Sequence, residues 1–198
     1  MQRRIRFLAA ALVMSCALAG CDESDAVAIR IDLKGDLSGR VTTRSLVRPE
    51  AGGAVEQASS GVVWADRVTL VASQGSFGDL SALGIEDIAF AGGQAEGLNF
   101  LKVTVPLGEA IKWPDSFTIA DIEARKRAAA TFDPEGNAKK VGATLKIEIE
   151  LPSTAVGHGA TPAMAGLKEE VDKRIATLVV PVDKARAEQG EIVWHLTW

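Results

Sequence analysis

The sequence predicts an α+β fold: a single domain on a mainly antiparallel β-sheet, with one clear helix at about residues 119–131 and one or two short helices. Three observations carry that expectation. Apolar and polar residues alternate with period two, most cleanly where Leu145, Ile147, Ile149 and Leu151 interleave with Thr144, Lys146, Glu148 and Glu150. Turn-forming clusters separate such runs, as in Asp133-Pro134-Glu135-Gly136, where proline presets φ and glycine accepts positive φ. Ile119, Ile122, Ala129 and Phe132 recur at helical spacing behind the candidate caps Ser116 and Thr118.

Taken in order, Val27, Ile29, Ile31 and Leu33 predict a strand with one buried face, and Lys34 to Gly39 a turn returning the chain through a second strand from Arg40 to Val47. Arg48 to Gly61, rich in Pro, Gly, Ala and Ser, predicts a surface loop. Extended runs follow at Val62 to Trp64 and Arg67 to Ser73, then a helical turn from Phe77 to Leu83 and a strand near Asp87 to Ala91. A glycine turn leads into a strand from Leu98 to Leu107. Pro114 biases Trp113 towards an extended conformation. Thr161-Pro162 predicts the start of a weak helix, with Met164, Leu167, Val171 and Ile175 at helical spacing. Ala176 to Val182 and Glu191 to Trp198 complete the sheet.

The beginning of the chain follows different rules. Arg3, Arg4 and Arg6 precede an uninterrupted apolar run of twelve residues from Phe7 to Leu18, the layout of a cleaved export signal. That run is short of the ~20 residues a membrane-spanning helix needs. Leu18-Ala19-Gly20-Cys21 directly behind it resembles the lipobox of bacterial lipoproteins. The resemblance implies cleavage before Cys21 and a diacylglyceryl group on its sulfur, with two or more acyl chains giving stable anchorage. The chain then divides into a signal peptide (1–20), a lipidated cysteine with a short tether (21–26) and one extracytoplasmic α+β domain (27–198). Residues 22–26 reach at most ~18 Å when extended, so the domain stays near the lipid. Asp22 resembles an inner-membrane retention signal, which implies the periplasmic face of the inner membrane in a Gram-negative host.

Without the signal, 178 residues remain, carrying 19 basic against 26 acidic side chains, a net charge of −7. That balance argues against a nucleic-acid partner. With Cys21 lipidated, no other cysteine is left for a disulfide or a thiolate metal site. The hairpin around residues 26–48 reverses the overall sign: Arg30, Lys34, Arg40, Arg44 and Arg48 outnumber Asp32 and Asp36. Arg40, Arg44 and Arg48 share a face if the strand runs that far. They are the candidate membrane-facing residues, each contributing ~1 kcal/mol near an anionic surface.

No catalytic constellation emerges. His158 is expected in a loop between Gly157 and Gly159, and His195 on a strand face opposite Trp194 and Trp198, neither at ligand spacing to a second histidine. Gln74 stands where a nucleophile turn around Ser76 needs glycine. Gly92 to Gly97 has no following Lys-Ser/Thr to hold phosphate. Glu148 and Glu150, flanked by Lys146, are expected on a solvated strand face.

The lipidated cysteine, the early strand with Gly35 and Gly39, the Phe77-Gly78-Asp79-Leu80 segment, Leu151-Pro152 and the final Val193-Trp194 resemble LppM-type lipoprotein domains in their order. That resemblance implies a lipid-associated α/β domain. The expected function is a non-catalytic, membrane-anchored lipoprotein binding a lipid, an apolar ligand or an envelope protein, with no metal and no cofactor. The alternative is a structural or assembly lipoprotein without a pocket, and a carboxylate-based hydrolase is the enzymatic alternative. Small residues Ala124, Ala128, Ala129 and Ala130 on the expected helix permit either close packing or an apolar space beneath it.

Overall fold

The computed structural model describes residues 28–45, 51–52, 56–65, 68–114 and 144–198. Strand β1 (Ala28–Leu33) turns Ile29, Ile31 and Leu33 to a buried side and leaves Arg30 and Asp32 on the other. It pairs antiparallel with β2 (Gly39–Ser45), Ile31 opposite Val41. Asp36 builds the intervening turn by accepting from the Ser38 amide and hydroxyl. Gly39 is required where it stands, because a Cβ would collide with the Asp32 carbonyl and the Phe77 ring.

The following strands are β3 (Ala51–Gly52), β4 (Glu56–Ala65), β5 (Val68–Phe77), β6 (Gly84–Ile85), β7 (Ile88–Ala95) and β8 (Leu98–Leu107). They continue with β9 (Thr144–Glu150), β10 (Gly157–Thr161), β11 (Lys168–Asp172), β12 (Ile175–Pro181) and β13 (Gly190–Thr197). One sheet runs β11-β12-β9-β1-β2-β5-β4 and the other β10-β13-β8-β7-β6-β3. Every described strand pair is antiparallel except β1 with β9, where Ile29 lies opposite Ile147.

Both sheets contribute to one core. Ile29, Ile31, Leu145, Ile147, Ile149 and Leu178 of the first meet Leu101, Val103, Val105, Ile192, Trp194 and Leu196 of the second, all fully buried. Each such aliphatic side chain contributes roughly 1.5–3 kcal/mol by leaving water. The architecture is thus a two-sheet β-sandwich.

This corrects the predicted α+β class. Strands dominate among the described residues, and the one α-helix that lies wholly within them is α1 (Val182–Ala187). The expected helix at residues 119–131, and the space beneath it, lie outside the described residues. Where strands replace the predicted elements, the physical reasons are specific. Part of the expected loop from Arg48 to Gly61 is strand, β3 and β4, because ladder hydrogen bonds to β6 and β5 are made by the backbone and need no large side chain. The expected weak helix beginning at Thr161-Pro162 gives way to β11, whose Val171 pairs with Ala176. Gly166 there adopts φ +81°, which helix excludes. The glycine turn lies later than its glycines suggest: Glu96 and Gly97, at φ +53° and +81°, form a two-residue hairpin loop, while Gly92 and Gly93 stay in β7. At Gly92 a Cβ would meet Leu80 Cδ2 at 2.6 Å.

The expected helical turn is a 3₁₀ turn at Leu80–Ala82, capped by Asp79, which accepts from the Ser81 amide and hydroxyl. Those bonds lower the Asp79 pKa. Their stabilisation is complete above the ordinary aspartate range and lost as pH falls through the lowered value.

Trp113 belongs to the same core. It and Pro114 are helical rather than extended, since packing outweighs the bias from the proline, which a first helical turn tolerates. The indole is fully buried and donates to the Pro106 carbonyl at 3.0 Å. Asp87, just before β7, accepts the Lys112 and Trp113 amides on its two oxygens at 2.7 and 3.0 Å, acting as a cap from a distant segment. Asp87→Ala is expected to lower stability by about 1–2 kcal/mol, the range for a lost helix cap. Asp87→Asn, which keeps one acceptor oxygen, recovers part of that in a denaturant titration.

Candidate functional site

Two polar clusters interrupt this apolar architecture. The first lies on the outer face of the β1–β9 pair. Arg30 donates from Nη1 to Glu148 at 2.7 Å, from Nε to Asp32 at 2.9 Å and from Nη2 to Glu150 at 3.0 Å. The Arg174 Nη2 donates to the other Glu150 oxygen at 3.2 Å, and Lys146 Nζ lies 3.5 Å from Glu148 Oε2. The Glu148 and Lys146 side chains retain only 4% and 9% of their exposure. The expected solvated face is therefore corrected: at its centre this carboxylate and ammonium are buried. Partial burial opposes the Arg30 charge, but the Asp32 hydrogen bond and the charges of Asp32, Glu148 and Glu150 outweigh it and raise the pKa. Three carboxylates occupy the guanidinium fork, so the cluster is a closed ion network.

The second cluster joins the edges of the two sheets. Glu169 on β11 accepts the Trp194 indole N–H from β13 at 2.8 Å, and the same oxygen lies 3.0 Å from His158 Nδ1 on β10. As a carboxylate it only accepts, so the imidazole presents its Nδ1–H. His158 is on a strand rather than in the expected loop, because Gly157 and Gly159 extend and pair with Thr197 and His195. No hydroxyl or thiol is hydrogen-bonded to His158 among the described residues.

The sequence-predicted residues fall elsewhere. Cys21 and Arg48 lie outside the described residues. Arg40 and Arg44 occupy alternate positions of β2, opposite Asp32 and Ala28 respectively. Arg40 is exposed, and with the Gln74 amide oxygen turned towards it donates from Nε and Nη1 at 3.1 and 3.2 Å. Among the described residues no group of three or more His, Cys, Asp or Glu is arranged to hold a metal ion, and no helix is long and apolar enough to cross a membrane.

Sequence reasoning missed Arg30 as the hub of a network and Glu169 as a bridge. A signal existed for the first: Arg30-x-Asp32 and Glu148-x-Glu150 present complementary charges on alternating positions. The β1–β9 pairing that unites them spans 118 residues. In comparisons with known proteins, no family model, no curated protein and no solved structure matches this chain.

Arg30→Ala strands the buried Glu148 carboxylate and is expected to cost about 3 kcal/mol, the lower end for a broken buried pair because Arg30 keeps partial exposure. Glu169→Ala is expected to cost about 1–3 kcal/mol by orphaning the Trp194 N–H, with Glu169→Gln largely restoring it. His158→Ala, losing a half-exposed partner, shifts stability by less than about 1 kcal/mol in the same equilibrium unfolding measurements.

Proposed function

We propose that the protein is a membrane-anchored extracytoplasmic lipoprotein whose folded part is a non-catalytic β-sandwich that binds an envelope component. One observation carries this reading: Leu18-Ala19-Gly20-Cys21 stands directly behind a basic segment and a twelve-residue apolar run. Small side chains before the cysteine fit a narrow protease site, and only a thiol carries a thioether-linked lipid. The strand pattern of the folded part begins within a few residues, at Ala28, which supports a domain held close to its anchor. Asp22 favours the periplasmic face of an inner membrane in a Gram-negative host.

Between a bound lipid or apolar ligand and an envelope protein, packing favours the protein. The space between the sheets is occupied by large side chains without exposure, Trp194, Ile147 and Leu101 among them, so a ligand chain would have to displace core. The same observation supports the assembly lipoprotein as the second reading. The closed state of the Arg30 network supports a non-catalytic role.

Cys21→Ser is expected to abolish incorporation of labelled fatty acid and to move the protein from the membrane to the soluble fraction. Unchanged membrane retention together with no label in the wild type would overturn the anchor. For the surface reading, cross-linking in intact cells is expected to capture an envelope protein. A co-purifying acyl ligand that perturbs tryptophan emission would favour the ligand-binding form instead.

A further inference from the structure

Strand β11 ends the first sheet, and among the described residues its one ladder partner is β12. The β11–β12 hairpin closes on Lys173 and Arg174, so Asp172 with Ile175 is its first hydrogen-bonded pair, and Glu170 with Thr177 and Lys168 with Val179 follow at alternate positions. The Arg174 carbonyl fits this phase, since it points the other way and accepts the Leu151 amide on the β9 side at 2.7 Å. Glu169 and Val171 therefore turn their N–H and C=O groups away from β12. Among the described residues nothing is hydrogen-bonded to those main-chain groups. The next carbonyl along the same edge, that of Lys173, is already taken by the Ala155 N–H at 2.8 Å.

The side chains give this edge two different faces. Lys168, Glu170 and Asp172 are exposed on the outer one, and Glu169 and Val171 are half-buried on the inner one. Glu170 and Asp172 make no ion pair among the described residues. Glu169 is tied inwards to Trp194 and His158, which fixes the strand while leaving its main-chain edge open. Ala155, Ala160, Met164, Leu167 and Val171, all half-buried against the core, belong to β10, β11 or the segments flanking them. The open edge is thus bordered on its inner side by apolar surface that the fold covers only in part.

We infer that β11 is a docking edge for an extended segment of an envelope protein, which adds to the first sheet as one more strand. The inference rests on the surface reading proposed above and names the partner's chemistry. Unpaired N–H and C=O groups at alternate positions are met by an extended backbone, which neither a helix nor an acyl chain supplies. The half-buried apolar side chains call for apolar residues at every second position of that segment, and the unpaired Glu170 and Asp172 call for Lys or Arg at the positions between. A second copy of β11 does not match. Symmetric antiparallel pairing centred on Glu169 or Glu170 sets that residue against itself, and pairing centred on Val171 sets Glu170 against Asp172.

The test uses the full chain in detergent and a fluorescent peptide, Val-Lys-Val-Arg-Val-Lys-Val, with Val-Glu-Val-Glu-Val-Glu-Val as its acidic counterpart. Anisotropy is expected to show the basic peptide binding at least about tenfold more tightly than the acidic one. Val171→Pro removes an N–H that β12 does not use and is expected to weaken binding about tenfold. Glu170→Lys combined with Asp172→Lys changes exposed positions alone and is expected to reverse the preference between the peptides. In hydrogen exchange the Glu169 and Val171 amides are expected to exchange faster than that of Glu170 and to gain protection when the basic peptide is added. A basic peptide that fails to bind, or that binds both variants as well as the wild type, would overturn the docking edge. Glu169 and Val171 amides already protected in the free protein would overturn it too, because the chain then covers its own edge. An envelope protein cross-linked in cells equally by wild type and Val171→Pro would overturn the edge and leave the surface reading standing. Capture of nothing in cells would remove the surface reading, and the proposed partner with it.

Discussion

The Arg30 guanidinium against the Glu148 carboxylate is the constraint on which the first sheet turns. Strand β1 lies between β2 and β9, and its pairing to β9 is the one parallel contact of that sheet. Side chains reverse face at every residue, so a one-residue slip of β9 would send Glu148 and Lys146 among Ile29 and Ile31. A buried charge facing hydrocarbon without a partner costs far more than an apolar pair gives back. In the observed register each charge meets its opposite on the outer side and each isoleucine meets another on the inner. Net stabilisation by such a pair is modest, because desolvation offsets most of the attraction. Its larger effect is to exclude the wrong alignment.

The sandwich closes by a second device of the same kind. Strands β10 and β11 end their respective sheets, and residues between Thr161 and Lys168 carry the chain from one to the other. Glu169 ties the two edges by accepting from Trp194 and contacting His158. An indole in the core keeps its apolar body among neighbours and still satisfies its N–H, which an unpartnered tryptophan cannot do. Trp113 is held differently: its indole donates to the Pro106 carbonyl, while Asp87 accepts the backbone amides of Lys112 and Trp113. In both places one carboxylate from a distant segment accepts from two donors.

Much of the strand content was legible in the sequence. Alternation at Val27 to Leu33, Leu98 to Leu107, Thr144 to Leu151 and Glu191 to Trp198 locates four strands correctly, since there the inner face is uniformly large and apolar. Fold class was not legible. Period two states that a strand has an inside, and it cannot state which of two sheets supplies the opposing layer. Small-residue strands such as β4 and β10 lack the pattern altogether and depend on neighbours for their existence. At the polar clusters, the side chains were visible as charges on alternating positions, while their burial followed from pairings more than a hundred residues apart. Glu169 carried no local signal, because its partners lie on another sheet.

The place of β13 between β10 and β8 has a consequence for how the molecule is made. A polypeptide made from its N-terminus delivers β1 early and β9 only after another hundred residues. Strand β13, which joins β10 to β8 in the second sheet, comes after all the other described strands. Local hairpins such as β1–β2 and β7–β8 can zip up as they appear. The layer containing Trp194 and Leu196 is incomplete until β13 has been made. Folding of the second sheet is therefore completed late, and a half-built layer keeps its hydrocarbon face open until the segment that completes it is in place.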